Sequence, residues 1–261
     1  VINLAAQAGV RHSIDYPGDY TNSNLVGFFN ILEFVRDNIP RLIFASTSSV
    51  YGANTNFPFN ESRGADHPIQ FYAATKKANE LMAHAYSSMY GLEAIGLRFF
   101  TVYGPYGRPD MALFKFTKNI LAGKPIKLFN NGNHVRDFTY VDDIVEGIFL
   151  SLEYKFKSKG WDSDNPDPQH SKSKYRIYNL GNNKPIKLLD YLGAIENELG
   201  IKAKVEYLPL QQGDVIETQS DITHAINDLS YNPKVSIESG VKEFINWYKN
   251  YYCVDDEKER I

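Results

Sequence analysis

Runs of strand length alternate with helical periods through roughly the first hundred residues, and no other feature constrains this chain as tightly. Val1–Ala6, Arg41–Ser46 and Glu93–Phe99 read as strands. Between the first two, residues 19–38 read as a helix. Leu25, Phe28, Phe29, Leu32 and Val35 form its apolar stripe, and Pro40 ends it. A polar loop with Asn54, Asn56, Pro58 and Gly64 then leads to a helix from Tyr72 to about Tyr90, stopped by Gly91. Strands separated by helices at this spacing build β-α-β units and a parallel sheet.

After Gly104–Pro109 the rhythm changes. The pattern predicts a helix over Ala112–Leu121, a strand over Ile126–Phe129, a turn at Asn130–Asn133 and extended chain over Arg136–Thr139. Asp142 or a neighbour is expected to cap a helix bearing Ile144, Val145, Ile148, Phe149 and Leu152. Residues 155–174 read as a mobile surface loop. Tyr175–Leu180 follows as a strand, Leu188–Leu199 as a helix, Val205–Leu208 as a strand and Ser236–Tyr252 as an amphipathic helix.

The 261 residues allow one large or two small domains with a real core. A net charge of −3 argues against a general nucleic-acid or membrane-surface binder. Cys253 is the sole cysteine, which excludes a disulfide framework within one chain and fits a reducing, cytoplasmic compartment. The histidines form no H-x-x-x-H cluster, and Asp142-Asp143 reads as a helix start, so no metal is expected. No apolar run reaches transmembrane length. Val1–Ala6 already has a buried-strand pattern, with no glycine-rich dinucleotide turn before it. The expectation is a chain that starts inside a domain, lacking a half-Rossmann unit of roughly 70–80 residues.

Two features carry chemistry. Tyr72 and Lys76, in Tyr72-Ala73-Ala74-Thr75-Lys76, lie one turn apart on one helical face. An ammonium beside a phenol favours the phenolate, so this tyrosine is expected to take a proton near neutral pH. Tyr-x-x-x-Lys alone is common by chance. Here, however, it follows 25 residues after Thr47, in a strand that ends in hydroxyls: Ser46-Thr47-Ser48-Ser49-Val50-Tyr51-Gly52. Arg108 and Arg136 are the best clamps for phosphate or carboxylate, since guanidinium binds either bidentately.

Strand, loop and Tyr/Lys helix resemble the layout of extended short-chain dehydrogenases/reductases. Ala5–Arg11, Ser23–Gly27, Thr101–Ala112 and Arg136–Asp143 resemble the NAD-dependent epimerase/dehydratase family, and UDP-glucuronate 4-epimerases most. The resemblance implies an α/β fold: a Rossmann-like doubly wound parallel sheet with a smaller substrate-binding part. Residues 1–104 would be the remainder of the NAD domain, with returns near 138–152 and 175–181, and 105–261 mainly the UDP-sugar domain.

The resemblance also implies roles. Tyr72 would be the base at the sugar 4-hydroxyl, Lys76 the holder of the nicotinamide ribose and Thr47 a hydrogen-bond partner of the reacting oxygen. Leu4, Ala5, Ala6, Asn24, Ser46, Phe99 and Val102 would line the NAD site. Ser48, Ser49, Thr101 and Arg108 would meet the sugar, Arg136 the diphosphate, Phe129 the uracil and Asp214 the ribose. Related dehydratases carry Thr-Asp-Glu, and decarboxylases Thr-Ser-Glu, where this chain has Thr47-Ser48-Ser49. Serines supply no carboxylate acid or base, which disfavours both. The implied reaction is reversible C4 epimerisation through a 4-keto sugar with recycled NAD, in a homodimer built on the Asn24 and Tyr72 helices. The alternatives are an epimerase for UDP-glucose or UDP-N-acetylhexosamine, and a non-catalytic nucleotide-sugar-binding chain.

Overall fold

Arg41–Thr47 has a strand on each side, and the main sheet is organised around it. The computed structural model describes residues 1–156, 161–211 and 213–254. A short strand β1 (Ile2–Asn3) runs parallel to β2 (Arg41–Thr47), which runs parallel to β3 (Glu93–Phe99). Leu42 and Phe44 pack on one face and Ile43 on the other, as a strand inside a parallel sheet requires. Between β1 and β2 lie α1 (His12–Asp15), α2 (Pro17–Tyr20), a π-helical turn over Thr21–Val26, and α3 (Gly27–Arg36). A 3-10 turn at Ser48–Tyr51 and α4 (Phe71–Tyr90) connect β2 to β3. Gly91 ends α4 in a left-handed cap with φ 72°, a conformation that costs glycine least.

The second half contributes β4 (Thr101–Tyr103), α5 (Ala112–Leu121), β5 (Ile126–Leu128), β6 (Val135–Tyr140) and α6 (Val141–Glu153). It continues through β7 (Tyr175–Leu180), β8 (Pro185–Lys187), α7 (Leu188–Leu199), β9 (Val205–Tyr207), α8 (Thr223–Leu229) and α9 (Ile237–Tyr252). β7 rejoins the main sheet, giving the parallel order β1-β2-β3-β7. Phe28, Leu32, Val35 and Ala83 cover one face, while Ile144, Ile148, Ala225 and Leu229 cover the other. Helices on both faces of a parallel sheet make this a doubly wound, Rossmann-like α/β fold. A separate core joins α5, α7 and α9 through Phe114, Tyr191, Ile195 and Phe244. Beside it stand the β4-β6-β8 sheet and the β5-β9 pair.

The structure corrects several sequence expectations. β1 is two residues long; Leu4, Ala5 and Ala6 leave the sheet and are exposed. The expected helix over 19–38 is broken by the π turn, which shifts the helical phase. Within α3, Phe29 is turned about 100° from Phe28 and faces outward at 44% exposure, while Phe28, Leu32 and Val35 are buried. Val145, Phe149 and Leu152 are likewise exposed on α6. Asp143 does not cap that helix: its carboxylate accepts from Lys234 N at 3.0 Å and Val235 N at 3.1 Å. Of the expected loop over 155–174, residues 157–160 lie outside the described ones. Its later part is tied down: Gln169 is buried and its carbonyl accepts from Ile177 N, while Ser62 Oγ donates to Asp167. The strands β4 and β8 and helix α8 are too short to show a period in sequence.

Two buried carboxylates hold distant segments together. Asp137, in the Arg136-Asp137-Phe138 motif, is fully buried. It accepts from Asn182 N, Asn183 N, Ser220 N and Ser220 Oγ. Glu61 accepts from Asn179 N at 2.7 Å, and Asn179 also takes the Tyr51 hydroxyl. Glu61 Oε2 is buried without a partner. Burial pushes the Glu61 carboxyl up to about 7, against the bond from Asn179 N and the Arg98 charge, which lower it. An acid raised on folding stabilises fully below its unfolded value, and that contribution is lost as pH rises through about 7. Glu61→Gln is therefore expected to raise stability at pH 8, by up to about 3 kcal/mol, and to give no gain at pH 4. Melting curves at both pH values test this; an equal effect at the two would assign the change to packing instead.

Candidate active site

The candidate site forms where the parallel strands end. Thr47 closes β2 opposite Phe99 of β3, and Ser48–Tyr51 turns away from the sheet immediately after it. The Thr47 side chain caps that turn, accepting from Ser49 N at 3.2 Å and donating to Ser49 Oγ at 3.3 Å. The carboxyl ends of parallel strands are where open α/β sheets bind ligands. α4 starts here, with Tyr72 in its first turn and Lys76 one turn on.

The surroundings of Tyr72 act on its phenol in both directions. Burial raises its phenol above the ordinary value, while the Thr47 hydroxyl and the Arg108 charge lower it and Tyr20 raises it. The Lys76 ammonium is itself buried, at 3% exposure. Burial pushes Lys76 down to about 8, with Glu80 opposing. Among the described residues Lys76 Nζ makes no hydrogen bond, so three buried donors are available to a bound group.

Beneath the pair lies an ion network. Arg98, fully buried, donates to Glu80 through Nε and Nη2, both at 2.8 Å. Ser46 Oγ donates to Glu80 at 2.6 Å and Lys77 Nζ at 3.3 Å. Burial pushes the Glu80 carboxyl up, but the Arg98 charge and bonds outweigh it and hold the group at about 2. The Ser46 hydroxyl thus gives its proton to this network.

Asn24 is also engaged internally. It accepts from Gln7 N at 2.8 Å and donates to Gln7 O and Thr75 Oγ1, both at 3.0 Å. It splices the loop after β1 to α4, which sets Gln7 close to that helix. Tyr20 does similar work and was missed in the sequence, since no motif surrounds it. Its hydroxyl donates to Gly9 O and Ala8 O, and its ring meets Tyr72 edge-on at 6.0 Å. Gly9 has φ 111°, and a Cβ there would come 3.4 Å from Arg108 Nη2. Only glycine fits that conformation without strain.

The remaining candidates form two groups. Arg108 pairs with both carboxylate oxygens of Asp110 and acts electrostatically on Tyr72. Thr101, Val102, Gly107, Arg108 and Met111 line one cleft with Phe138 and Tyr191. Ser48, Ser49, Thr101, Phe99 and Val102 are half-buried. Farther out, Arg136 donates only to carbonyls: Nη1 to Val135 O and Ile216 O, Nη2 to Val215 O at 2.5 Å. Burial pushes Arg136 down to about 10, and the Asp214 charge opposes. Arg11, another residue the sequence reading did not single out, lies 3.2 Å from Asp214 Oδ2 and 4.8 Å over the Phe129 ring. His134 Nε2, Gln211 Oε1 and Gln70 Oε1 are buried nearby with no partner among the described residues. Orphaned polar atoms of this kind suit a polar ligand. Among the described residues no three His, Cys, Asp or Glu side chains are grouped to hold a metal, and no helix is long and apolar enough to cross a membrane.

The model of the NAD dependent epimerase/dehydratase family matches residues 1–181. The chain belongs to that family. It is 55% identical over 254 residues to Protein CapI of Staphylococcus aureus, covering 97% of this chain and 76% of that one. It is 46% identical over 261 residues to UDP-glucuronate 4-epimerase 4 of Arabidopsis thaliana, covering 98% of this chain and 59% of that one. Among solved structures, UDP-glucuronic acid 4-epimerase of Bacillus cereus in complex with UDP-glucuronic acid and NAD superposes with a TM-score of 0.84. That protein is 31% identical, and the match covers 95% of this chain and 74% of that one. For this epimerase/dehydratase family member the cofactor is therefore NAD. The residues at the sheet's end suit it: a buried Lys76 ammonium, without a hydrogen bond among the described residues, one turn from a half-buried tyrosine.

Proposed function

We propose that this family member is a UDP-sugar 4-epimerase whose preferred pair is UDP-glucuronate and UDP-galacturonate. The supporting observation is the hydroxyl turn beside Tyr72. Ser48 and Ser49 follow Thr47 there, and no carboxylate is among the groups that influence the tyrosine. Elimination of water would need such an acid and base; inversion at one carbon does not.

Bound NAD supplies the hydride acceptor and donor. Lys76 would hold its ribose, with Leu4, Ala5, Ala6, Phe99 and Val102 around it, while Asn24 and Ser46 position neighbours from behind. Tyr72 Oη exchanges the proton of the sugar 4-hydroxyl. Thr47 orients that oxygen, and the Arg108 charge makes the phenolate easier to form. Ser48, Ser49 and Thr101 donate to the sugar carboxylate, and Arg108 exchanges Asp110 for it. Arg136 holds the diphosphate, Asp214 the ribose and Phe129 the uracil. The chain acts as a cytoplasmic homodimer, for which Val26 and Phe29 near α3, and Leu81 and Met89 on α4, supply exposed apolar surface.

The test is product analysis by chromatography and mass after incubating the NAD-loaded protein with UDP-glucuronate, UDP-glucose and UDP-N-acetylglucosamine. UDP-galacturonate should form fastest. Arg108→Ala should reduce UDP-glucuronate turnover by about 10- to 100-fold more than UDP-glucose turnover, the scale of one charge-assisted contact. Equal losses on the two would remove the uronate preference and leave a general UDP-hexose epimerase.

A further inference from the structure

We propose that Arg11 is a latch over the nucleotide site, and that nucleotide binding transfers it from protein groups to the diphosphate. The inference rests on the UDP-sugar reading above. In this structure the Arg11 guanidinium stacks 4.8 Å over the Phe129 ring and reaches Asp214 Oδ2 at 3.2 Å. A uridine would need both groups, the ring for its flat base and the carboxylate for its ribose hydroxyls. Guanidinium is itself flat, aromatic-stacking and a hydrogen-bond donor. It therefore satisfies the two groups much as a nucleoside would, and a nucleoside must displace it.

Where Arg11 goes follows from charge. A diphosphate brings about two negative charges at neutral pH. Arg136 meets it with one cation whose Nη atoms already donate to three carbonyls. Arg11 is the second guanidinium close by: both act electrostatically on the same buried ring, that of His134. Its side chain is 51% exposed, against 17% for Asp214. The arginine is the partner free to swing, while the aspartate stays. Arg11 also belongs to the loop after β1, whereas Phe129 and Asp214 belong to the second half of the chain. Its transfer thus exchanges a direct bridge between the two halves for one that runs through the phosphate.

The latch predicts opposite signs for two simple probes. Uridine must displace Arg11 and gains nothing from it. UDP displaces it and recovers a charge-assisted contact. Calorimetric titration of the full chain with UDP and with uridine, before and after Arg11→Ala, separates them. UDP is expected to weaken by about tenfold or more, and uridine to tighten by about three- to tenfold. Arg11→Lys keeps the charge but loses the flat stack, so it should tighten uridine while holding UDP within a few-fold of the parent. Melting curves of the variants should match the parent, because Arg11 is a half-exposed loop residue. If uridine binds Arg11→Ala no more tightly than the parent, or if UDP does not weaken, the latch is overturned. If the unaltered chain binds neither probe, the UDP-sugar reading fails and the latch with it.

Discussion

Tyr72→Phe in the NAD-loaded protein lowers kcat by at least about 10²-fold, the usual scale for removing a positioned acid or base. The substitution deletes one oxygen and keeps the ring, so the edge contact with Tyr20 at 6.0 Å survives. UDP-sugar affinity should therefore stay close to the parent's, which separates a lost proton carrier from a disturbed cleft. The structure also says what the phenol requires. Burial raises it, and only the Thr47 hydroxyl and the Arg108 charge pull it down. Thr47→Val should consequently lower kcat as well, while Lys76→Ala should show most in cofactor retention. Unchanged turnover in Tyr72→Phe, measured with UDP-glucuronate, would dismiss it as the proton carrier.

The second large effect is on stability. Arg98→Leu is expected to cost about 3–5 kcal/mol at pH 7, because it leaves Glu80 buried without its main partner. Glu80 is held at about 2 against an ordinary 4.5. A lowered acid stabilises the fold above its unfolded value, and that contribution is lost as pH falls from about 4.5 through 2. The Arg98→Leu deficit should then shrink between pH 7 and pH 3. Urea unfolding at the two pH values measures it. An undiminished deficit at pH 3 would mean that shape, not charge, accounts for the loss. Because Ser46 Oγ also donates to Glu80, and Ser46 precedes Thr47, the variant's surviving fold should show an altered Thr47 position as well.

Much of the scaffold was legible in the sequence because it rests on long, regular elements. β2, β3, β7, α4, α5, α7 and α9 have enough residues for an apolar period to stand out. Where only a few residues form an element, as in β4, β8 and α1, pairing partners decide the conformation and no local pattern announces it. The π turn before α3 has no such signature either, and Phe29 sits at the edge of the apolar stripe, where only the folded neighbours decide burial. Thr47, Tyr72 and Lys76 were readable as a motif and do converge at the end of the sheet. Their electrostatics were not readable, since burial of Tyr72 and Lys76 depends on segments far away in the chain. Arg11 and Tyr20 escaped notice because their partners, Asp214, Phe129, Gly9 and Ala8, are identified only once the chain is folded. Asn24 and Ser46 were found by position, but their hydrogen bonds turn inward, to Gln7, Thr75 and Glu80.

The π turn at Thr21–Val26 carries a consequence for how this sequence can change over time. A π turn holds one residue more than an α-helix would use for the same advance. Losing one of those six positions would relax the turn to α geometry and leave the flanking residues in nearly the same phase, so Tyr20 would stay against Tyr72 and the change would fall on the turn itself. Asn24, inside the turn, would lose the setting that faces it to Gln7. A substitution at Ser23 is cheap by comparison, since exposure leaves that side chain few obligations. The segment is therefore held in length and, at Asn24, in letter, and a one-residue gap at this point in a related chain would mark a chain without the π turn.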